Sequence, residues 1–439
     1  MKSKSSFVCA SCGTAHPAWV GQCKSCGEWN TLEERVIAPT TLSNGMTTRP
    51  AATAISSQDI ASLAATPLAR QGTGIDELDR VLGGGLVPGS VILLAGEPGI
   101  GKSTLTLQLA ASIAEKLGTV LLASGEESAQ QIALRATRTG RAHKELRLIA
   151  STDIDAILAT AEVERPRLLI VDSVQVMQST ISNSSPGSVP QIRAVAESLM
   201  RFAKTTGTPV VLIGHVTKDG EVAGPRVLEH LVDVVLTLEG DRYRDMRLLR
   251  TMKNRFGATS EVGVFEMAET GLAEVANPSE AFLSERGEQP IGSAITVMLE
   301  GTRPLLVEVQ ALTAPTSFGY PRRTASGFDL NRLNLLIAVL QRHAGVSLDS
   351  SDIFVNIVGG LKISEPAADL AVALAIASSK AKRPLPPDLT IFGELGLSGE
   401  IRSVSQLAKR QAEAKKLGFG KTVIEKNLAA AVKKYLNVK

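Results

Sequence analysis

Past Cys26 the 439-residue chain contains no cysteine. A disulfide framework is thereby excluded for almost the whole length, and a reducing compartment is expected. Long apolar runs are missing too: no stretch approaches the roughly 18 residues that mark a membrane-spanning helix. The amino terminus, MKSKSSFVC, is charged but lacks an apolar segment, so no secretory signal is expected. Nor is there a large excess of charge. With 47 basic and 44 acidic residues the net charge is +3, which at first sight argues against a polyanionic partner. What is present is apolar material for real cores, 44% of residues, and a length that suggests two or three domains.

The four cysteines all fall in a dense unit over residues 1–35, as Cys9-Ala-Ser-Cys12 and Cys23-Lys-Ser-Cys26, each pair followed by Gly. A C-x-x-C turn presents two thiolates to one ion, and two such turns complete the tetrahedral shell that zinc prefers. So short a unit buries little core, and the metal would supply its folding energy. Four thiolates leave no open position, so the zinc is structural rather than catalytic. His16 is a competing ligand on paper, more simply read as a surface residue. Trp19 and Trp29, the only tryptophans, flank the second pair. They pack over the small core or, on a sharper reading, touch a partner or nucleic acid. Residues 36–66 are rich in Ala, Thr and Ser and read as a linker, with Ile55 to Leu63 able to dock as an edge strand or short helix.

Residues 67–276 alternate strand and helix. VILLAG (91–96), VLLASG (120–125), RLLIVDS (167–173) and PVVLIGHV (209–216) are short apolar runs, the first two ending at Gly, as in a parallel sheet covered on both faces. Helices are predicted over 102–118, 128–140 and 191–207, and antiparallel strands over 232–240 and 246–254. A further α/β unit occupies 283–439, with helices in NRLNLLIAVLQRHAG, PAADLAVALAIASSKA and SQLAKRQAEAKKLG.

Gly96-Glu97-Pro98-Gly99-Ile100-Gly101-Lys102-Ser103 fits G-x-x-x-x-G-K-[ST] between a strand and a helix. The glycines let backbone N–H groups approach phosphate oxygens at a helix N-terminus. Lys102 neutralises the β- and γ-phosphates, Ser103 is the expected Mg²⁺ ligand, and Thr104 lies near the α-phosphate. Asp172 ends an apolar strand where a carboxylate must sit to hold the Mg²⁺ shell. Glu126 and Glu127 follow the preceding strand, and a carboxylate there can polarise the attacking water. Glu126 is the first choice and Glu127 a close second. His215 ends another strand, as a γ-phosphate sensor or a structural residue.

With these motifs in place the chain resembles the RecA-like ATPases, and more closely the bacterial RadA (Sms) family. The likeness joins CxxCG…GQCxxCGEWNT (9–31), GIDELDRVLGGGLVPGS (74–90), GEPGIGKST (96–104) and Lys253-Asn254-Arg255-Phe256-Gly257, and covers essentially the whole chain. It implies an α/β protein with a RecA-like P-loop core, a four-cysteine zinc ribbon and a Lon-protease-like C-terminal domain. It also implies a hexameric ring that hydrolyses ATP and acts as a helicase on single-stranded and branched DNA. Such an ATPase would promote branch migration with a RecA-type recombinase at the nucleoid in the cytoplasm. By the same resemblance Lys253 and Arg255 act in trans. Read from the residues, two cations two apart on a strand share a face and can reach a γ-phosphate across a subunit interface.

Two polar loops suit sequence-independent phosphate contacts, Gln178 to Pro190 and Thr217 to Arg226, the second carrying Lys218. Neither holds enough aromatics for base stacking to be the main device. In the C-terminal unit the Lon likeness rests on Pro321-Arg322-Arg323, Gly327-Phe328-Asp329, Glu365-Pro366-Ala367-Ala368-Asp369 and Gly393-Glu394-Leu395-Gly396-Leu397-Ser398-Gly399. The Ser–Lys dyad of such peptidases aligns with Ala367 and Ala408, which can be neither nucleophile nor base. Ser364 and Lys409 are poorly placed to rebuild it. Lys380, Lys382, Arg383, Lys409, Arg410, Lys415, Lys416, Lys433 and Lys434 form basic clusters, and Arg322-Arg323 lies beside Phe318 and Tyr320. Split by segment, the net charge is +2 over 1–55, −4 over 56–276 and +5 over 277–439, so the near-neutral total hides a basic C-terminal unit. The competing readings are a RecA-like signalling ATPase without DNA activity and an ATP-dependent protease.

Overall fold

The computed structural model describes residues 5–9, 15–16, 19, 21–23, 29, 32–36, 59, 69–215, 225–240, 246–283, 290–316 and 319–437. The chain divides into two compact units, Met1–Pro67 and Leu68–Lys439. In the first, strands β1 (Ser5–Cys9), β2 (Ala15–His16) and β3 (Leu32–Val36) form an antiparallel sheet in the order β2-β1-β3. Cys9 ends β1 opposite Leu32, and Cys23 is buried. Cys12 and Cys26 lie outside the described residues, as does the expected strand or helix over Ile55 to Leu63, apart from Asp59. The tryptophans do not pack inward: Trp19 is 56% and Trp29 67% exposed, and both rings lie against Gly21.

The second unit opens with α1 (Asp76–Leu82) and then β4 (Val91–Gly96), α2 (Lys102–Lys116), β5 (Val120–Ser124) and α3 (Ala129–Arg138). Next come β6 (Leu146–Ala150), α4 (Ile154–Glu164), β7 (Leu168–Asp172), α5 (Val189–Thr206) and β8 (Val210–His215). The short α6 (Pro225–Glu229) precedes β9 (Val234–Glu239), β10 (Met246–Asn254), β11 (Val262–Ala268) and β12 (Gly271–Glu274). These strands form one nine-stranded sheet, ordered β12-β11-β10-β9-β4-β8-β7-β5-β6. It is parallel from β9 to β6 and antiparallel from β9 to β12. β4, β5 and β7 are buried at every position, as strands covered on both faces must be. α1, α2 and α3 cover one face, and α4 and α5 the other.

The chain continues through α7 (Pro278–Leu283), β13 (Ser293–Glu300), β14 (Arg303–Pro315), β15 (Arg323–Ser326), α8 (Leu330–Ala344), β16 (Ser351–Ile357) and α9 (Asp369–Ala381). It ends with short strands β17 (Leu389–Thr390), β18 (Glu394–Leu395) and β19 (Ile401–Arg402), then α10 (Leu407–Lys416), β20 (Lys421–Thr422) and α11 (Leu428–Leu436). A six-stranded sheet in the order β15-β16-β14-β13-β17-β20 carries α8, α9 and α11 on one face, and α7 and α10 pack on the other. The large core of this sheet does not stop at the expected boundary near residue 276. Leu248, Val262 and Val264 of β10 and β11 belong to it, alongside Leu305, Val307 and Leu333. Charged ties cross the same border: Arg303 bonds Glu77 of α1 at 2.5 Å, and Arg250 bonds Glu300.

Candidate nucleotide site

The P-loop leaves β4 and enters α2 at the carboxyl edge of the parallel sheet, where strand ends and a helix N-terminus meet. Gly101 takes φ +116°, and a Cβ there would come within 2.9 Å of the Met267 side chain. Ile100 is buried beneath the loop, and its carbonyl accepts a bond from Arg247 Nε of β10 at 3.2 Å. Lys102 is 3% exposed and turns its ammonium back on the loop, donating to the carbonyls of Gly96 at 2.8 Å and Glu97 at 2.9 Å. Burial pushes Lys102 down to about 8, against the pull of Asp172 and Glu126. A buried ammonium satisfied only by neutral carbonyls fits an anionic ligand.

Asp172 ends β7, beside β5, and is 7% exposed. Burial raises its carboxyl above the usual range; the Ser103 hydroxyl donates to it and His215 lowers it, while Glu126 and Glu127 push it further up. A buried carboxylate crowded by other carboxylates fits a bound cation, with Ser103 and Asp172 as the groups to hold Mg²⁺. Glu126, Asp172 and His215 bring one ligand atom each within 4.8 Å of one another.

The two glutamates after β5 part company. Glu127 is captured by Arg135 of α3 through two bonds of 3.0 and 2.6 Å. Glu126 faces the site, with His215 Nε2 3.3 Å from its Oε1 and the Ser173 hydroxyl donating to the same oxygen. The Nδ1 atom of His215 is buried without a hydrogen-bond partner.

In the segment Lys253 to Gly257, strand alternation does not set the geometry. β10 ends at Asn254, with a bulge between Thr251 and Lys253, and Arg255 lies beyond it. The two cations still converge. Lys253 Nζ donates to the carbonyls of Glu229 at 2.7 Å and Val232 at 2.8 Å, holding the end of α6. Arg255 reaches Asp233 at 3.2 Å, and its side chain remains 54% exposed. Burial works against the Asp233 charge, but Lys204, the Val91 N–H and Arg255 hold it ionised below the usual range. Asn254 Nδ2 donates to Leu82 O at 3.3 Å and Arg70 to Phe256 O at 2.5 Å, which ties the segment to α1.

A family model described as "AAA domain" matches residues 57–221, and one described as "Rubredoxin metal binding domain" matches 7–34. A third, "Subunit ChlI of Mg-chelatase", matches 333–427. The chain is 49% identical to DNA repair protein RadA of Brucella abortus (strain 2308), over 95% of this chain and 91% of that one. It is 50% identical to DNA repair protein RadA of Salmonella typhimurium (strain LT2), over 96% of this chain and 92% of that one. The chain belongs to the RadA family of DNA repair proteins. Among solved structures, a KaiC-like protein from Pyrococcus horikoshii OT3 overlays 48% of this chain and all of its own, at 20% identity and a TM-score of 0.41.

This chain has a RecA-like P-loop ATPase core, a metal-binding ribbon and a Lon-like α/β C-terminal part. The four ribbon thiols are the donor set that suits zinc. In the C-terminal part Ala367 is buried and Ala408 lies on α10. Lys409 donates to Thr302 O at 3.1 Å, and Ser364 is exposed. Several cations of the basic clusters have structural employment. Arg410 is fully buried and doubly bonded to Glu365; Arg383 holds the carbonyls of Leu436 and Asn437; Lys434 pairs with Glu425. Tyr320 is 89% exposed, and Phe318 lies outside the described residues.

Of the two polar loops, Gln178 to Pro190 is tied at both ends, by Thr180 to Asp155 and by Gln191 to Ser179 O. Most of Thr217 to Arg226 lies outside the described residues. In RadA-family terms the sequence reading missed Arg247 and Ser173. Arg247 meets the loop from 147 residues along the chain; Ser173 directly follows Asp172, but its bond to Glu126 spans 47 positions and nothing local marks it.

No helix among the described residues is long and apolar enough to cross a membrane.

Proposed function

We propose that this chain is a DNA-stimulated ATPase that opens and moves DNA strands during recombinational repair, assembled as a ring of like subunits. The observation that carries the reading is the convergence of Lys102, Ser103, Asp172 and Glu126 at one sheet edge, in a chain whose relatives are named for DNA repair. Lys102 exchanges the Gly96 and Glu97 carbonyls for the β- and γ-phosphates of ATP, with the loop amides around them. Mg²⁺, held by Ser103 and Asp172, would neutralise phosphate charge. Glu126 takes the proton of the attacking water, a task that Glu127, tied to Arg135, is not placed to perform. Zinc on Cys9, Cys12, Cys23 and Cys26 would stabilise the amino-terminal unit.

Arg255 is the half-exposed member of its motif and the one available to a neighbouring subunit's phosphate. Lys253 instead anchors the end of α6, the helix that begins at Pro225 within the span Thr217 to Arg226. Single strands and branched junctions are the substrates and a RecA-type recombinase the partner, in the manner of the family.

The test is ATP hydrolysis with and without single-stranded DNA, alongside size-exclusion chromatography with ATP. Stimulation by DNA and assembly to a ring are expected. Arg255→Ala is expected to keep nucleotide binding and lose strand unwinding. A stable monomer without DNA stimulation would leave the signalling-ATPase reading standing, and full unwinding by Arg255→Ala would remove the trans role.

A further inference from the structure

We infer that Ser173 is a positioning residue for Glu126, and that it connects this carboxylate to the polar loop beginning at Gln178. The inference rests on the reading of Glu126 as the group that activates water. Ser173 is fully buried directly after Asp172, and its hydroxyl donates to Glu126 Oε1. Among the described residues the polar partners of the Glu126 carboxylate are Ser173 and, at 3.3 Å, His215. Both address Oε1, which leaves Oε2 for a water. Glu126 sits on a turn after β5 with its side chain 38% exposed. Its three side-chain torsions are otherwise free to carry the carboxylate out of line.

The backbone before Glu126 is fixed by the same segment. Gly125 N–H donates to Asp172 O at 2.9 Å, and a Cβ on Gly125 would come within 2.6 Å of Val176 Cγ2. Residues 173 to 177 therefore lie directly on the Gly125–Glu126 turn. Val174 N–H donates to Ile213 O at 3.0 Å, and Val174 and Met177 are wholly buried. Gln178 then bonds across to the start of α4: its N–H donates to Thr152 O at 2.7 Å and its carbonyl accepts from Ile154 at 2.9 Å. A strand that displaces the loop after Gln178 thus pulls on a short, packed segment whose far end holds the carboxylate.

Ser173→Ala removes one oxygen and nothing else. The expected result is a fall in kcat of about tenfold or more, the size of a lost hydrogen bond to a charged group. KM for ATP and affinity for a non-hydrolysable ATP analogue stay within about twofold, as for an interaction that orients a group without binding substrate. Stimulation by poly(dT) is lost while poly(dT) affinity is kept. Glu126→Gln is measured in parallel. If that variant hydrolyses ATP at the wild-type rate, the reading of Glu126 itself falls. If it is inactive and Ser173→Ala turns over normally, only the inference on Ser173 falls. A Ser173→Ala protein that loses nucleotide affinity together with kcat would show a merely structural residue. One that is slowed but still fully stimulated by poly(dT) would break the link to the loop.

Discussion

Lys102 should make nucleotide affinity depend on pH in an unusual range. Before nucleotide arrives, its ammonium is buried against two neutral carbonyls, and burial brings it down to about 8. The phosphates favour the charged form, so the value in the complex is higher, and binding above pH 8 must take up a proton. Below about pH 7 the lysine is charged in both states and affinity is flat on its account. Above pH 8 part of the binding energy goes to protonating it. Relative to pH 7, affinity should fall about twofold at pH 8 and roughly tenfold at pH 9. The last phosphate ionisation, near pH 6, is largely complete by pH 7 and adds little slope above it. Titration with a fluorescent ATP analogue from pH 7 to 9.5 measures the curve, and calorimetry in two buffers of different ionisation heat counts the proton. Lys102→Arg, which stays charged throughout, should bind with a flat profile. A flat profile in the wild-type protein would mean that Lys102 is charged throughout, and the desolvation argument would be wrong.

Two further outcomes follow from contacts away from the phosphates. Arg303→Ala leaves Glu77 buried without its main cation, and urea unfolding should report a loss of about 3 to 5 kcal/mol; a loss below about 1 kcal/mol would mean the tie between α1 and β14 contributes little. Titrating the cysteines with a mercurial in the presence of a zinc indicator should release one zinc per chain. Cys23→Ser should reduce zinc content while basal ATP hydrolysis persists, and a metal-free protein with oxidised cysteines would refute the ribbon assignment.

The buried strands were legible because each is a short apolar run covered on both faces, so composition alone marks them. β6 was not: Leu146–Ala150 is an edge strand, only partly buried, and in its sequence LRLIA Arg147 interrupts the apolar run, although Leu146 and Leu148 still pack against the core. The P-loop was legible because its chemistry is local. Glu126 and Glu127 could not be separated in sequence, since what distinguishes them is an arginine one helix away and a serine 47 positions on. Arg247 is hidden for the same reason, meeting Ile100 across 147 residues. The basic clusters near the C-terminus are the opposite case, in which local sequence conceals burial. A run of Lys and Arg looks solvated until Arg410 is found wholly inside, against Glu365 and Val297 O.

The strip formed by Leu248, Val262 and Val264 leaves the ATPase sheet and the C-terminal sheet without a neck between them. Cutting the chain at Asn277 would not release two modules. Parting the two sides would strip the cover from three aliphatic side chains and take Arg303, the nearer of two cations, away from Glu77. A shift of β10 during nucleotide turnover would therefore press directly on side chains of the far sheet's own core, with no linker in between.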